Sequence, residues 1–106
     1  MTPPEQSITV AFVGSATERT AKRAKEYEDE VLRLLGSHGA RLLYRGRRRR
    51  DQDESLPFEI QLLSFPRREA LDAFLADRRQ RLLAFYGDVF THKQSVELDT
   101  LDTLAP

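Results

Sequence analysis

Segments with helical spacing of apolar residues alternate with short β-prone runs, and this alternation limits the folds open to the chain. Residues 7–14 are rich in β-branched and aromatic side chains and predict a first strand. The next apolar residues recur every three or four positions and share one helix face: Ala24, Tyr27, Val31, Leu34, Leu35 and His38. They predict a helix over residues 16–37, with a capping box at Ser15 and Glu18 and an end at Gly39.

The remaining segments complete the order β-α-β-β-α-β. The predicted elements are strands over residues 40–47 and 56–65, a helix beginning at Pro66, a short helix over 78–86 and a strand over 89–98. This order predicts an α+β, ferredoxin-like fold, with a four-stranded antiparallel sheet and two helices on one face. We expect one domain over the 106 residues, with its core at about residues 7–98 and a tail at 99–106.

The composition excludes several classes of site and partner. The chain has no Cys, which rules out disulfides and thiolate metal ligands. Lys and Arg number 17, as do Asp and Glu, so no net field favours nucleic acid or an anionic membrane. No apolar run is long enough to span a membrane, and residues 1–5 do not form a signal peptide. We expect a cytoplasmic location and no cofactor.

Several short motifs carry a family resemblance. They are Tyr27-x-x-x-Val31, Gly39-x-x-Leu42, Arg45-Gly46, Phe65-Pro66 and Ala70. With them the chain resembles the dimeric α/β-barrel superfamily, and within it the bacterial family DUF1330, which has no settled reaction. That family often has Ser after Phe-Pro, where it would cap the second helix. This chain has Arg67 there, so the N–H groups at the helix start need other hydrogen-bond partners. The resemblance implies a homodimer packed sheet to sheet and a ligand cleft between sheet and helices.

Alternation along the strands predicts one apolar and one mixed sheet face. The apolar face, assigned to the helices, carries Ile8, Val10, Phe12, Leu42, Tyr44, Phe58, Ile60, Leu62, Phe90, Val96 and Leu98. The opposite face mixes charges of both signs, and its dimer-face candidates are Arg41, Glu59, Gln61 and Lys93. In a sheet-to-sheet dimer these groups must pair, because an unpaired buried charge is costly.

Two polar residues, His92 and Gln94, interrupt the predicted apolar face of strand 4. Such breaks in a pattern mark functional sites, and imidazole titrates near neutrality, so His92 is the candidate catalytic residue. Tyr27 and Tyr86 are candidate ligand-binding hydroxyl donors, Phe12 is a candidate apolar wall, and Gln94 is a further ligand-binding candidate. The alternative is that His92 is a hydrogen-bonded core or edge residue and that the aromatic residues are plain core.

Two other features receive structural interpretations. His38 and His92 are the only histidines, and no spacing typical of metal ligands surrounds them, so we predict no metal site. The four consecutive arginines at residues 47–50 are followed by Asp51, Asp53 and Glu54. This local charge balance favours a solvated hairpin tip over a nucleic-acid patch.

Two hypotheses of function remain open at this stage. The first is an enzyme that acts on a compact, partly aromatic or acidic organic substrate by proton transfer. The second is a non-catalytic ligand-binding or interaction module. A polar group converging on an apolar cleft favours the first hypothesis, and a cleft filled by Tyr and Phe side chains favours the second.

Overall fold

The chain forms a four-stranded antiparallel sheet with two helices. The computed structural model describes residues 7–83 and 92–99. Its elements are β1 (Ile8–Ser15), α1 (Ala21–Arg33), β2 (Arg41–Arg47), β3 (Glu59–Phe65), α2 (Arg68–Arg78) and β4 (His92–Leu98). A 3₁₀ turn (Leu35–His38) follows α1, and a π-helical turn (Arg79–Leu83) follows α2. The strand order β2-β3-β1-β4 confirms the predicted topology.

The observed helix ends differ in part from those predicted from the sequence. Ser15 belongs to β1, and a turn at residues 17–20 precedes α1, with the Thr17 backbone N–H donating to the Thr20 hydroxyl at 3.2 Å. The predicted capping box and helix start are therefore wrong. Gly39 follows the 3₁₀ turn in the left-handed region, at φ 65°, as its residue type indicated. Arg67 precedes α2 in an extended conformation and provides no side-chain cap.

The apolar core lies between the sheet and both helices. Phe74 of α2 is fully buried, and its ring centroid lies 5.2 Å from that of Phe65 and 6.2 Å from that of Phe12. Tyr27 and Val31 of α1 pack into the same cluster. Both helices therefore cover the side of β1 that carries Phe12, which agrees with the predicted orientation of that strand.

Strands β3 and β4 and the part of β2 beyond Leu42 turn the opposite way from the prediction, whereas Phe58, just before β3, is buried as predicted. Phe12 pairs with Gln61 of β3 and with Ser95 of β4, so these residues share the helix-covered face. Glu59 and Gln61 are each 1% exposed within the single chain, and the Lys93 side chain contacts α1. Their assignment to an open dimer face is therefore wrong. The polar side chains satisfy one another beneath α1, whereas the sequence interpretation assumed that only apolar residues meet the helices.

The face that no described helix covers is mainly apolar instead. Tyr44, Ile60, Val96 and Leu98 are 57%, 41%, 46% and 42% exposed. In the sheet they neighbour Ala11, Val13 and Leu62. Arg41 does lie on this open face, in register with Ser64, as predicted. A register shift between Leu42 and Tyr44 in β2 accommodates this arrangement. Predicted core residue Phe90 lies outside the described residues.

Candidate functional site

Charged and aromatic side chains from four elements meet between the helices and the sheet. We call this group the Lys93 cluster: Phe12 of β1, Tyr27 and Glu28 of α1, Arg78 of α2 and Lys93 of β4. Glu28 follows Ala24 by four positions, so it lies beside the buried stripe of α1 and is only 4% exposed. The cluster thus places ionisable groups where the fold otherwise buries apolar ones.

Lys93 and Glu28 form the ion pair at the centre of the cluster. The Lys93 Nζ donates to Glu28 Oε1 at 3.0 Å and lies 4.1 Å from the centroid of the Tyr27 ring. Burial lowers the pKa of Lys93, although the negative charge of Glu28 opposes this shift. Burial likewise raises the pKa of Glu28, against the effect of Lys93. Both shifts favour the uncharged forms, so the pKa values of the two groups lie closer together than those of an exposed lysine and glutamate.

Arg78 brings a second cation to the same place. Its guanidinium carbon lies 5.3 Å from the centroid of the Phe12 ring. Its Nε is buried and has no hydrogen-bond acceptor in the described part of the chain. Burial raises the pKa of Tyr27 to about 12, against the opposing charge of Arg78. Within the cluster, one carboxylate therefore faces two cations, and the Tyr27 hydroxyl stays protonated at neutral pH.

A ladder of hydrogen bonds extends from the cluster to β2. The Gln61 amide nitrogen donates to Glu28 Oε2 at 2.6 Å and to Glu59 Oε2 at 2.5 Å. Glu59, whose side chain is fully buried, accepts from Arg45 Nε at 2.9 Å and from Arg47 Nη2 at 2.6 Å. These charge-assisted hydrogen bonds offset the desolvation cost of burying the Glu59 carboxylate.

A small cleft opens at the outer end of this ladder. Arg45 also donates through Nη2 to Asp29 Oδ1 at 2.8 Å. This hydrogen bond is the main reason that the pKa of Asp29 is lowered. The cleft has a volume of about 300 Å³ and is lined by Lys25, Asp29, Arg45, Gly46, Arg47 and Glu59. Solvent therefore reaches the outer end of the ladder while its inner end stays buried.

The predicted site residues divide into three groups. Tyr27 and Phe12 lie together in the Lys93 cluster, buried between the helices and the sheet. Gln94 is exposed and pairs with Val13 on the open face, so its predicted place among helix-facing residues is wrong. The backbone of His92 pairs with Ser15, but its side chain lies outside the described structure, as does Tyr86.

Sequence reasoning missed Glu28 and Arg78 and placed Lys93 on the wrong face. A signal was present for Glu28, because it follows Ala24 by four positions on α1 and therefore borders the buried stripe. Arg78 occupies the last position of α2 and gave no comparable signal.

His38 has a structural role in the described structure. Its Nε2 lies 2.9 Å from Asp77 Oδ2, and its ring packs edge-on against Phe74. The hydrogen bond from His38 is the main cause that lowers the pKa of Asp77. Among residues 7–83 and 92–99, no group of three or more potential ligands is arranged to hold a metal ion.

Comparisons with known proteins identify the fold class. No family model and no curated protein matches the chain. A Bacteroides thetaiotaomicron structure, described as a candidate antibiotic biosynthesis monooxygenase, superposes with a TM-score of 0.71 at 11% identity, covering 93% of each chain. A Pseudomonas aeruginosa structure gives 0.70 at 12% identity, covering 94% of this chain and 99% of the other.

A third similar structure is an uncharacterised NIPSNAP-like domain protein from Burkholderia xenovorans. Its TM-score is 0.64 at 15% identity, with 95% of this chain and 90% of the other covered. Together these similarities confirm the ferredoxin-like fold, and they do not confirm the narrower resemblance to DUF1330. No helix in the described residues has the length and apolar character needed to span a membrane.

The central ion pair generates a stability prediction. In Lys93→Met the buried Glu28 carboxylate loses its ammonium partner, so we expect the free energy of unfolding at neutral pH to fall by about 3–5 kcal/mol. The matched variant Lys25→Met removes an exposed partner of Asp29. It should cost less than about 1 kcal/mol in the same urea titrations.

The pH dependence of Lys93→Met provides a second readout of the same variant. Burial raises the folded-state pKa of Glu28 above its unfolded value, so the folded state binds this proton more tightly. The stability deficit of Lys93→Met should therefore shrink as the pH falls through the pKa of Glu28. A deficit that grows on acidification, or equal losses in the two variants, would contradict this account.

Proposed function

We propose that the chain is a small-molecule-binding enzyme of the dimeric α/β-barrel type that transfers a proton on a compact acidic organic substrate at the Lys93 cluster. The observation that carries the proposal is the buried Lys93–Glu28 pair, 3.0 Å apart, beside an Arg78 Nε with no acceptor among the described residues. Acid–base groups with shifted pKa values that lie together out of solvent are typical of catalytic sites.

The chemistry of the proposed step follows from the individual groups. Burial lowers the pKa of Lys93, so a larger fraction of its side chain is in the neutral amine form than for an ordinary lysine. The neutral amine can act as a general base. It takes a proton from the carbon beside a substrate carbonyl, and the resulting enolate oxygen is stabilised by Arg78. The Lys93 ammonium then returns the proton to another atom of the same molecule, which completes a tautomerisation without an oxidant or reductant.

The aromatic residues of the cluster complete the proposed binding site. The Tyr27 hydroxyl, with its pKa raised to about 12, serves as a hydrogen-bond donor that does not ionise during the reaction. Phe12 forms an apolar wall under the Arg78 guanidinium. Tyr86 remains a predicted hydroxyl donor of this site. His92 remains a predicted catalytic residue, but it precedes Lys93 by one position in β4 and so belongs to the sheet face of Gln94.

A second candidate function is a non-catalytic ligand-binding or interaction module. The hydrogen-bond ladder favours it, because Glu28, Glu59 and Asp29 are each already bound to a cation. A polar core with only a structural role also needs all its charges paired, so this pairing is expected without catalysis. The two functions differ in whether a bound acidic ligand is converted.

The proton-transfer proposal predicts catalysis of enol–keto tautomerisation by the chain. We choose phenylpyruvate as the probe, because it is compact, aromatic and acidic, and its enol is followed by ultraviolet absorbance. The unmodified chain should exceed the buffer rate, with a rate that rises with pH as Lys93 loses its proton. Lys93→Met should lose about 100-fold or more of this rate, in line with removal of a general base, while Lys25→Met should keep it.

A second pair of variants separates catalysis from binding and from folding. Arg78→Gln should weaken phenylpyruvate binding in NMR chemical-shift titrations, while Arg79→Gln, an exposed neighbour, should not. Circular dichroism establishes that each variant is folded. Binding without any rate above buffer would support the non-catalytic module, and the absence of both binding and rate would contradict both functions for this class of ligand.

The apolar open face supports a homodimer packed sheet to sheet, which is part of the proposal. Four large apolar side chains lie half-exposed there: Tyr44, Ile60, Val96 and Leu98. A contiguous apolar surface of this kind is typical of an interface. A second copy of the same sheet fits it, because an isologous contact matches apolar surface to apolar surface.

The dimer proposal predicts a mass of twice 12.2 kDa in sedimentation experiments at micromolar concentration. Ile60→Lys places a charge on the open face and should shift the equilibrium to the monomer. Ala73→Lys, on an exposed position of α2, should leave the dimer intact. A monomeric unmodified chain, or a dimer that Ile60→Lys does not weaken, would contradict the proposed interface.

A further inference from the structure

A second, larger cleft lies between the β2–β3 hairpin loop and the start of α1. It has a volume of about 730 Å³, within the range of small-molecule sites. Four consecutive arginines, residues 47–50, line it together with the acidic residues Glu18 and Glu54. Phe58 and Ala21 provide its apolar surface. This cleft therefore sets four arginines against two carboxylates, which leaves it a positive excess of charge.

The hairpin loop is folded rather than an unstructured charged tip. The Arg48 backbone N–H donates to the Phe58 carbonyl at 2.8 Å, and the Gln52 N–H donates to the Arg49 carbonyl at 3.1 Å. The Glu54 carboxylate accepts the backbone N–H of Glu18 at 2.9 Å, which ties the loop to the segment before α1. The backbone that carries the arginines is thus folded around the cleft before any ligand arrives, which reduces the entropy cost of binding.

The charges of these arginines are unequally compensated. Arg47 pairs with the buried Glu59. Arg48 donates to the carbonyl oxygens of Glu54 and Leu56, which position its guanidinium without neutralising it. Arg50 has no ion-pair partner in the described structure, and Arg49 has only a distant, exposed contact. An excess of positive charge therefore remains for a ligand.

We propose that this hairpin cleft binds a compact organic oxyanion, either a phosphate ester or a di- or tricarboxylate. Both present oxygens that match the planar donor fork of arginine. The volume exceeds that of a bare inorganic anion, which leaves room for the organic part of the ligand beside Ala21. The inference is independent of the proton-transfer proposal, because the Lys93 cluster contributes no residue to this cleft.

The test is calorimetric titration of the full chain with two separate probes, inorganic pyrophosphate and citrate. We expect the chain to bind at least one probe, which then identifies the phosphoryl or carboxylate class. The double variant Arg49→Gln/Arg50→Gln should bind about tenfold or more weakly, a loss of about 1.4 kcal/mol. The control Arg67→Gln/Arg79→Gln removes the same charge from the region of α2 and should bind within about twofold of the unmodified chain.

The outcomes separate a built site from general charge attraction. Lys93→Met should retain probe binding, so failure of the proton-transfer proposal leaves this one standing. Undetectable binding of both probes at about millimolar concentration, well above the range of specific sites, would overturn the proposal. Equal weakening in the two double variants would also overturn it, because the probes would then respond only to net charge.

Discussion

Burial of two carboxylates beneath α1 is the constraint on which the rest of the structure depends. Glu28 and Glu59 are 4% and 1% exposed, and an isolated buried carboxylate would cost several kcal/mol. Gln61 links the two, and Lys93, Arg45 and Arg47 supply their positive partners. Because α1 carries one carboxylate and β3 the other, this network fixes how the helix lies on the sheet.

The same network explains why the outer face of the sheet is apolar. Side chains alternate along a strand, so turning Gln61 and Glu59 inward turns Ile60 and Leu62 outward. The inner face thereby gains a polar site, and the outer face gains a surface suited to a second copy of the chain. The proposed site and the proposed dimer interface are therefore two consequences of one strand orientation.

The order of elements was predictable from the sequence, whereas the orientation of β3, of β4 and of β2 beyond Leu42 was not. The helical stripe through Tyr27 and Val31, together with Gly39, was enough to establish the first crossover. Orientation failed because both faces of β3 contain apolar residues, and hydrophobicity alone assigned Ile60 rather than Gln61 to the interior. Gln61 is buried because its amide is hydrogen-bonded to Glu28 and Glu59. The bond to Glu28 joins segments far apart in the chain, and no periodic pattern in the sequence indicates such a pairing.

The proposed acid–base site depends most directly on the protonation state of Lys93 in the folded protein. Its side chain can be followed by NMR in a pH titration of the protein labelled with ¹³C at lysine Cε, with Lys93→Met used to assign the resonance. Because burial outweighs the attraction of Glu28, the pKa of Lys93 should lie below the ordinary lysine value of 10.5. A Lys93 pKa at or above 10.5 would contradict the general base proposed for this side chain, because the attraction of Glu28 would then outweigh burial.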